Sequence, residues 1–176
     1  MSLRSVFHEW RELFRFKGLD PAARAIVFYA EDASSWKHFG PIIGELTGSF
    51  EKHLCYVTSG VDDPTLQRGD EHIRPFFIGS GAARTAFFKS LEAGVMVMTM
   101  PDLETFHIKR SRHPVHYIYV NHSIVSTHMI YRVHAFDHFD TILCVGPHHR
   151  EEIRATEALY GLRPKTLIGA GYPLLD

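Results

Sequence analysis

The sequence predicts an α/β domain with a doubly wound, mainly parallel sheet of the Rossmann type. Three observations carry this. Short, continuously apolar runs recur along the chain, and unbroken apolarity marks strands buried on both faces. Stretches of helical periodicity separate the runs. Small, glycine-rich polar segments follow them, as loops at one edge of such a sheet do.

Residues 1–20 stand apart from that alternation. SVFHEWRELFRFKG reads as an amphipathic helix with Val6, Phe7, Trp10, Leu13 and Phe14 on one face and Arg4, Arg11, Arg15 and Lys17 around it. Residues 4–17 could rest on an anionic membrane surface, or the apolar face could dock on the domain itself. Residues 21–176 form the Rossmann-like domain. Its strands are AIVFYA (25–30), LCYV (54–57), PFFI (75–78), VMVM (95–98), VHYIYV (115–120), TILCV (141–145) and TLI (166–168). Helices are expected over 36–46, where Trp36, Phe39, Ile42, Ile43 and Leu46 repeat, and over 82–91, 127–136 and 149–162. In the last of these, Glu151 and Glu152 stand in the first turn, where the helix dipole favours acids. Strand order is left open.

Composition narrows the function. A chain of 176 residues, 45% hydrophobic and 22% charged, supports one domain with a sizeable core. A net charge of −1 gives no basic excess for nucleic-acid phosphates. Cys55 and Cys144 lie inside apolar runs and read as free thiols in a reducing, cytoplasmic compartment. No run reaches the roughly 20 apolar residues of a membrane span, and no signal-peptide core is evident at the N-terminus.

In a parallel sheet the residues after each strand share one rim, where ligands bind. That rim collects Glu31-Asp32, Ser59-Gly60, Gly79-Ser80-Gly81, Pro101-Asp102, Asn121-His122-Ser123, Gly146-Pro147-His148 and Gly169-Ala170-Gly171. Gly79, Ser80 and Gly81 lead from a strand into a helix and could meet a phosphate or carboxylate, with Arg84 nearby. Arg84 takes the place of the third glycine of a dinucleotide fingerprint, which argues against NAD. The stretch from His107 to His149 is dense in histidine, and His134, Asp137 and His138 could share a helix face as metal ligands. HExxH is absent and no cysteine joins them, so neither a metal nor a cofactor is expected. His122 differs from the others in following a buried strand between Asn121 and Ser123. A histidine so placed can take a proton from a substrate hydroxyl near neutral pH, or serve a structural role.

Three motifs in fixed order add to this reading. VMVMTMPDL (95–103), YIYVNHSIVS (117–126) with FDHFDTILCVG (136–146), and GAGYPLLD (169–176) together resemble the CDP-glycerol glycerophosphotransferase family of bacterial teichoic-acid and capsule polymerases. The likeness spans residues 75–176. It implies the acceptor-side half of a two-domain GT-B-like enzyme, with the CDP-binding domain absent from this chain. His122 falls on the family's general-base histidine. Asn121 and Ser123 replace the Trp and Gly that flank that histidine in the family. The resemblance implies transfer of glycerol phosphate, or a related polyol phosphate, from a CDP-alcohol to a polyol-phosphate or glycan acceptor. Gly79, Ser80, Gly81, Arg84, Asp102, Asn121, Ser123 and Ser126 are the expected contacts to substrate and phosphate. The chain alone would be inactive and would work at the inner face of the cell membrane. A GT-B glycosyltransferase using a nucleotide sugar and a non-catalytic α/β binding module are the alternatives.

Overall fold

A computed structural model describes residues 3–105 and 108–172. His107 and the end of the GYPLLD motif, residues 173–176, lie outside them. Helix α1 (Leu3–Lys17) precedes seven strands: β1 (Ile26–Ala30), β2 (Leu54–Thr58), β3 (Ile73–Phe77), β4 (Val95–Met98), β5 (His116–Val120), β6 (Thr141–Cys144) and β7 (Thr166–Gly169). They form one all-parallel sheet in the order β3-β2-β1-β4-β5-β6-β7. The chain builds outward from β1 to β3, returns to lay β4 on the other side of β1, and then builds away from it. The expected doubly wound α/β fold is present, and its reversal of direction lies between β1 and β4.

Crossovers in parallel sheets are right-handed, so a reversal of direction switches the face that the connections cover. Helix α2 (Trp36–Gly48), between β1 and β2, covers one face. There Phe39 and Ile43 pack on Phe28, Ala30 and Tyr56. Helices α3 (Ala82–Ser90) and α5 (Pro147–Tyr160) contribute Phe87, Phe88 and Ile153 to the other face, against Val27, Tyr29, Met96, Met98, Tyr117 and Tyr119. Successive strand residues point to opposite faces, and here both faces are buried, which explains the unbroken apolar runs. The α2 side thins out past β5. Ile118 and Leu143 are half-buried, Ile168 is 47% exposed, and β7 has no buried residue.

Three expected elements differ in detail: α5 starts at Pro147, so Glu151 and Glu152 fall beyond its first turn, and two others change more. The apolar face predicted for the N-terminal helix splits in two. Leu13 and Phe16 of α1 are buried, with the Phe16 ring 5.4 Å from Phe76 and 5.2 Å from Phe87, edge-on to both. Phe7 and Phe14 point outward, 73% and 64% exposed. The helix expected over 127–136 shortens to α4 (Thr127–Ile130). At Tyr131 the backbone turns extended, and the Tyr131 ring packs 5.0 Å from Phe136. His134 then takes φ +74°. His134 and His138 therefore share no helix face, and His134 Nδ1 lies 2.6 Å from Asp137 Oδ2 instead. Both cysteines are buried and free.

Candidate active site at the switch point

Ligands of an open α/β sheet lodge at the carboxyl ends of the strands where the order reverses. In this chain that crevice has two lobes sharing Glu31 and Pro101. One, about 560 Å³, is lined by Asp32, Ser34, Ser35, Lys37, His38, Thr99 and His122. The other, about 570 Å³, is lined by Met100, Asp102, Thr105, Ile108 and Arg132. A more apolar groove lies between α4 and α5, where Glu157 pairs with Lys165 and His134 with Asp137, while its Arg132 reaches out to Asp102 of the second lobe. The switch-point crevice is where groups able to do chemistry converge.

His122 follows β5 and is half-buried at the mouth of the first lobe. Its Nδ1 lies 3.3 Å from the Tyr119 hydroxyl, and its backbone carbonyl accepts from the Tyr172 hydroxyl at 3.3 Å. Burial lowers its pKa below the usual 6.5, and the Lys37 ammonium adds to that, against a rise from the Thr99 carbonyl beside the ring. The ring is therefore neutral at pH 7, the form a general base requires.

A second histidine faces it. His38 lies in the first turn of α2, is 4% exposed, and meets His122 edge-on with ring centroids 5.7 Å apart. Burial, then His122 and Lys37, push its pKa down to about 4. Its Nδ1 is buried without a hydrogen-bond partner. The local sequence explains how α2 arrives there. Asp32 accepts from the Ser34 amide and hydroxyl at 2.8 and 2.6 Å, starting a 3-10 turn (Ala33–Ser35) that runs directly into α2. Pro41 inside α2 lacks the amide that would bond the Lys37 carbonyl, leaving that oxygen in the first turn without its usual partner. Glu31, directly after β1, has its carboxyl pKa raised by burial, partly offset by Arg84.

The other residues predicted for the site take varied places. Asp102 lines the second lobe, is in the left-handed region at φ +63°, and pairs with Arg132 at 2.7 Å. Asn121 is buried and donates to the Leu143 carbonyl of β6 at 3.2 Å, while its Oδ1 has no partner. The Ser123 hydroxyl accepts from the Val125 amide. The Ser126 hydroxyl donates to Glu152 of α5 at 2.5 Å. Burial alone would raise the Glu152 pKa, but the bonds from Ser126 and from the Thr127 hydroxyl and amide outweigh it and hold it at about 2. This tether fixes the loop that leaves His122. Gly79, Ser80 and Gly81 sit on the β3 side of the rim, where the buried Glu9 carboxylate of α1 rests on Gly79. The Glu9 carboxyl, which accepts from the Ser5 hydroxyl at 3.2 Å, fills the space beside that glycine. Arg84 stands between the two regions, close to Tyr29 and Glu31.

Of the residues singled out in the sequence, the crevice brings together His122 and Asp102, and it adds Lys37 and His38, with Tyr119 and Tyr131 beside His122, which the sequence did not single out. A usable signal was present, since the first turn of the helix following the first strand of a doubly wound sheet always meets this rim. Among the described residues, no three His, Cys, Asp or Glu side chains gather as a metal site, and no helix is long and apolar enough to cross a membrane. Fold and site together define a Rossmann-like α/β domain with a polar, two-histidine crevice at its switch point. No protein-family profile, curated protein or solved structure matches the chain.

Proposed function

We propose that this domain is the acceptor side of a GT-B-like transferase that moves glycerol phosphate, or a related polyol phosphate, from a CDP-alcohol to an acceptor hydroxyl in cell-envelope polymer synthesis. The observation that carries this reading is a neutral imidazole, His122, at the mouth of an open polar crevice at the switch point. Such a ring takes the hydroxyl proton as the acceptor oxygen bonds to the β-phosphorus of the donor and the bond to CMP breaks. Ser34, Ser35, Glu31, Asp32 and Lys37 line the same crevice and suit the hydroxyls and phosphates of a polyol-phosphate or glycan acceptor. The charge of the donor pyrophosphate is met in a separate CDP-binding domain, so the acceptor domain alone is inactive.

This chemistry belongs to the cytoplasmic face of the membrane. The outward Phe7 and Phe14 of α1, with Arg4, Arg11 and Lys17 on the same helix, suit peripheral contact with anionic lipid there.

In the complete protein, His122→Ala lowers turnover by about a hundredfold or more while CDP-glycerol binding is unchanged. Near-normal turnover in that variant removes the assignment. A donor screen provides a second check. Turnover with UDP- or GDP-sugars and not with CDP-polyols replaces this reading with a glycosyltransferase, and turnover with neither leaves a binding module.

A further inference from the structure

Among the described residues two histidines are buried, and they are used differently. His149 joins α5 to the loop after β5, its Nε2 2.8 Å from the Val125 carbonyl. His38, 4% exposed, joins nothing. Its Nδ1 is enclosed without a partner, and its Nε2, which is not enclosed, forms no hydrogen bond with the described residues either. A buried polar group left unpaired weakens a fold, so native structures keep few of them. A ring held in this way points to a partner from outside the chain.

The ring is not there through slack packing. Its neighbour Phe39 is fully buried, edge-on to Phe28 at 5.2 Å, and Ile43 packs on the same face of the sheet, so the first turn of α2 is anchored. What remains exposed of His38 opens on the first lobe of the crevice, which it lines with Lys37 and His122. The two imidazoles meet edge-on with centroids 5.7 Å apart. Both are uncharged at neutral pH. The Lys37 ammonium is exposed, forms no salt bridge among the described residues, and acts on both rings through its charge. An uncharged imidazole binds a hydroxyl, and an ammonium binds a phosphate. A hydrogen bond spans about 3 Å, so rings at this separation can each reach one of two neighbouring hydroxyls on the same ligand.

We propose that His38 is a specificity-determining residue that binds a second ligand hydroxyl, next to the one His122 acts on, so that the crevice selects a vicinal diol carrying a phosphate. This rests on the reading of His122 as general base and adds what the lobe recognises beside the reacting oxygen. No proton is transferred at His38. Its ring orients the diol, and Lys37 meets the phosphate.

The test uses the full chain at neutral pH with two probes of equal charge. These are glycerol 3-phosphate, which has adjacent hydroxyls, and 3-hydroxypropyl phosphate, which lacks the middle one. Binding is followed by NMR of the histidine rings, the His38 signals assigned by their loss in His38→Phe, or in His38→Gln where the first variant does not fold. Glycerol 3-phosphate is expected to shift the signals of both rings and to bind about fivefold more tightly than the other probe. 3-Hydroxypropyl phosphate should leave the His38 signals in place. His38→Phe keeps a ring in the site and removes its nitrogens, so the two probes should then bind equally, whereas a merely structural role would weaken both and keep their ratio. Equal binding of the two probes by the unaltered chain, or no binding of glycerol 3-phosphate, overturns the proposal whether or not the variants fold. A preference that survives in folded His38→Phe overturns it as well. If the preference holds while His122→Ala in the complete protein turns over normally, the transferase reading falls and the diol site stands. If the preference fails while His122→Ala is inactive, only the role of His38 is lost.

Discussion

Among the described histidines, His38 is the one whose ionisation departs furthest from ordinary imidazole chemistry. Its ring is neutral in the folded crevice down to about pH 4, whereas the unfolded chain protonates it near 6.5. A group whose folded pKa is depressed gives stability that is complete above the unfolded value and is lost as the pH falls toward the folded one. Between pH 6.5 and 4 the protein is therefore expected to lose up to about 3 kcal/mol through this side chain. Urea unfolding at pH 7, 5.5 and 4 measures this, and His38→Gln should flatten the dependence in that window. An equally steep loss in the variant would assign the effect elsewhere. His122 could be read from the sequence because a polar triplet follows a buried strand. His38 could not, because it lies beside Phe39, Ile42 and Ile43 in a pattern that looks like the core face of a helix. Its role depends on where the first turn of α2 crosses the rim, and that follows from strand order.

Helix α1, anchored by Leu13 and Phe16, also meets one backbone position in the loop after β3. Gly79 has φ +58°, and a Cβ there would fall within 2.5 Å of the Glu9 Oε1 atom. Gly79→Ala combines left-handed strain with the displacement of the Glu9 carboxyl, the far end of a side chain that can swing aside. It is expected to destabilise the fold by roughly 1–2 kcal/mol in chemical denaturation. Combining it with Glu9→Ala removes the collision, so the pair should cost less than the sum of the two single variants. Strict additivity would mean that the two residues do not touch. Among the elements, the strands were the most legible, since continuous apolarity is a local signal. α4 was the least. The apolar and polar spacing over 127–136 fits a helix, but the ring of Tyr131 gains more by packing on Tyr119 and Phe136 than its backbone would by continuing the turn. Helical periodicity does not register such a long-range contact.

For the whole molecule, the strand order sets both the site and the distribution of stability. α2 covers one face near β1 and β2, and the cover thins toward β7, where Ile168 is 47% exposed. Local opening follows burial. Amide hydrogen exchange should be slowest in β1, β2 and β4, intermediate in β6, and fastest in β7. Uniform protection across the seven strands would contradict this gradient. The sequence announced strands and helices in alternation but could not announce their order, because each run is consistent with any neighbour on a parallel sheet. The crevice between β1 and β4, and with it the meeting of His38 and His122, appears only once the order is known. The seating of Glu9 on Gly79 has a last consequence for solution behaviour. The Glu9 carboxyl fills the space directly beside Gly79, so a small anion can reach that backbone only by displacing a side chain of α1. Binding isotherms for inorganic phosphate should therefore report the neighbouring crevice, with little added by the glycine loop.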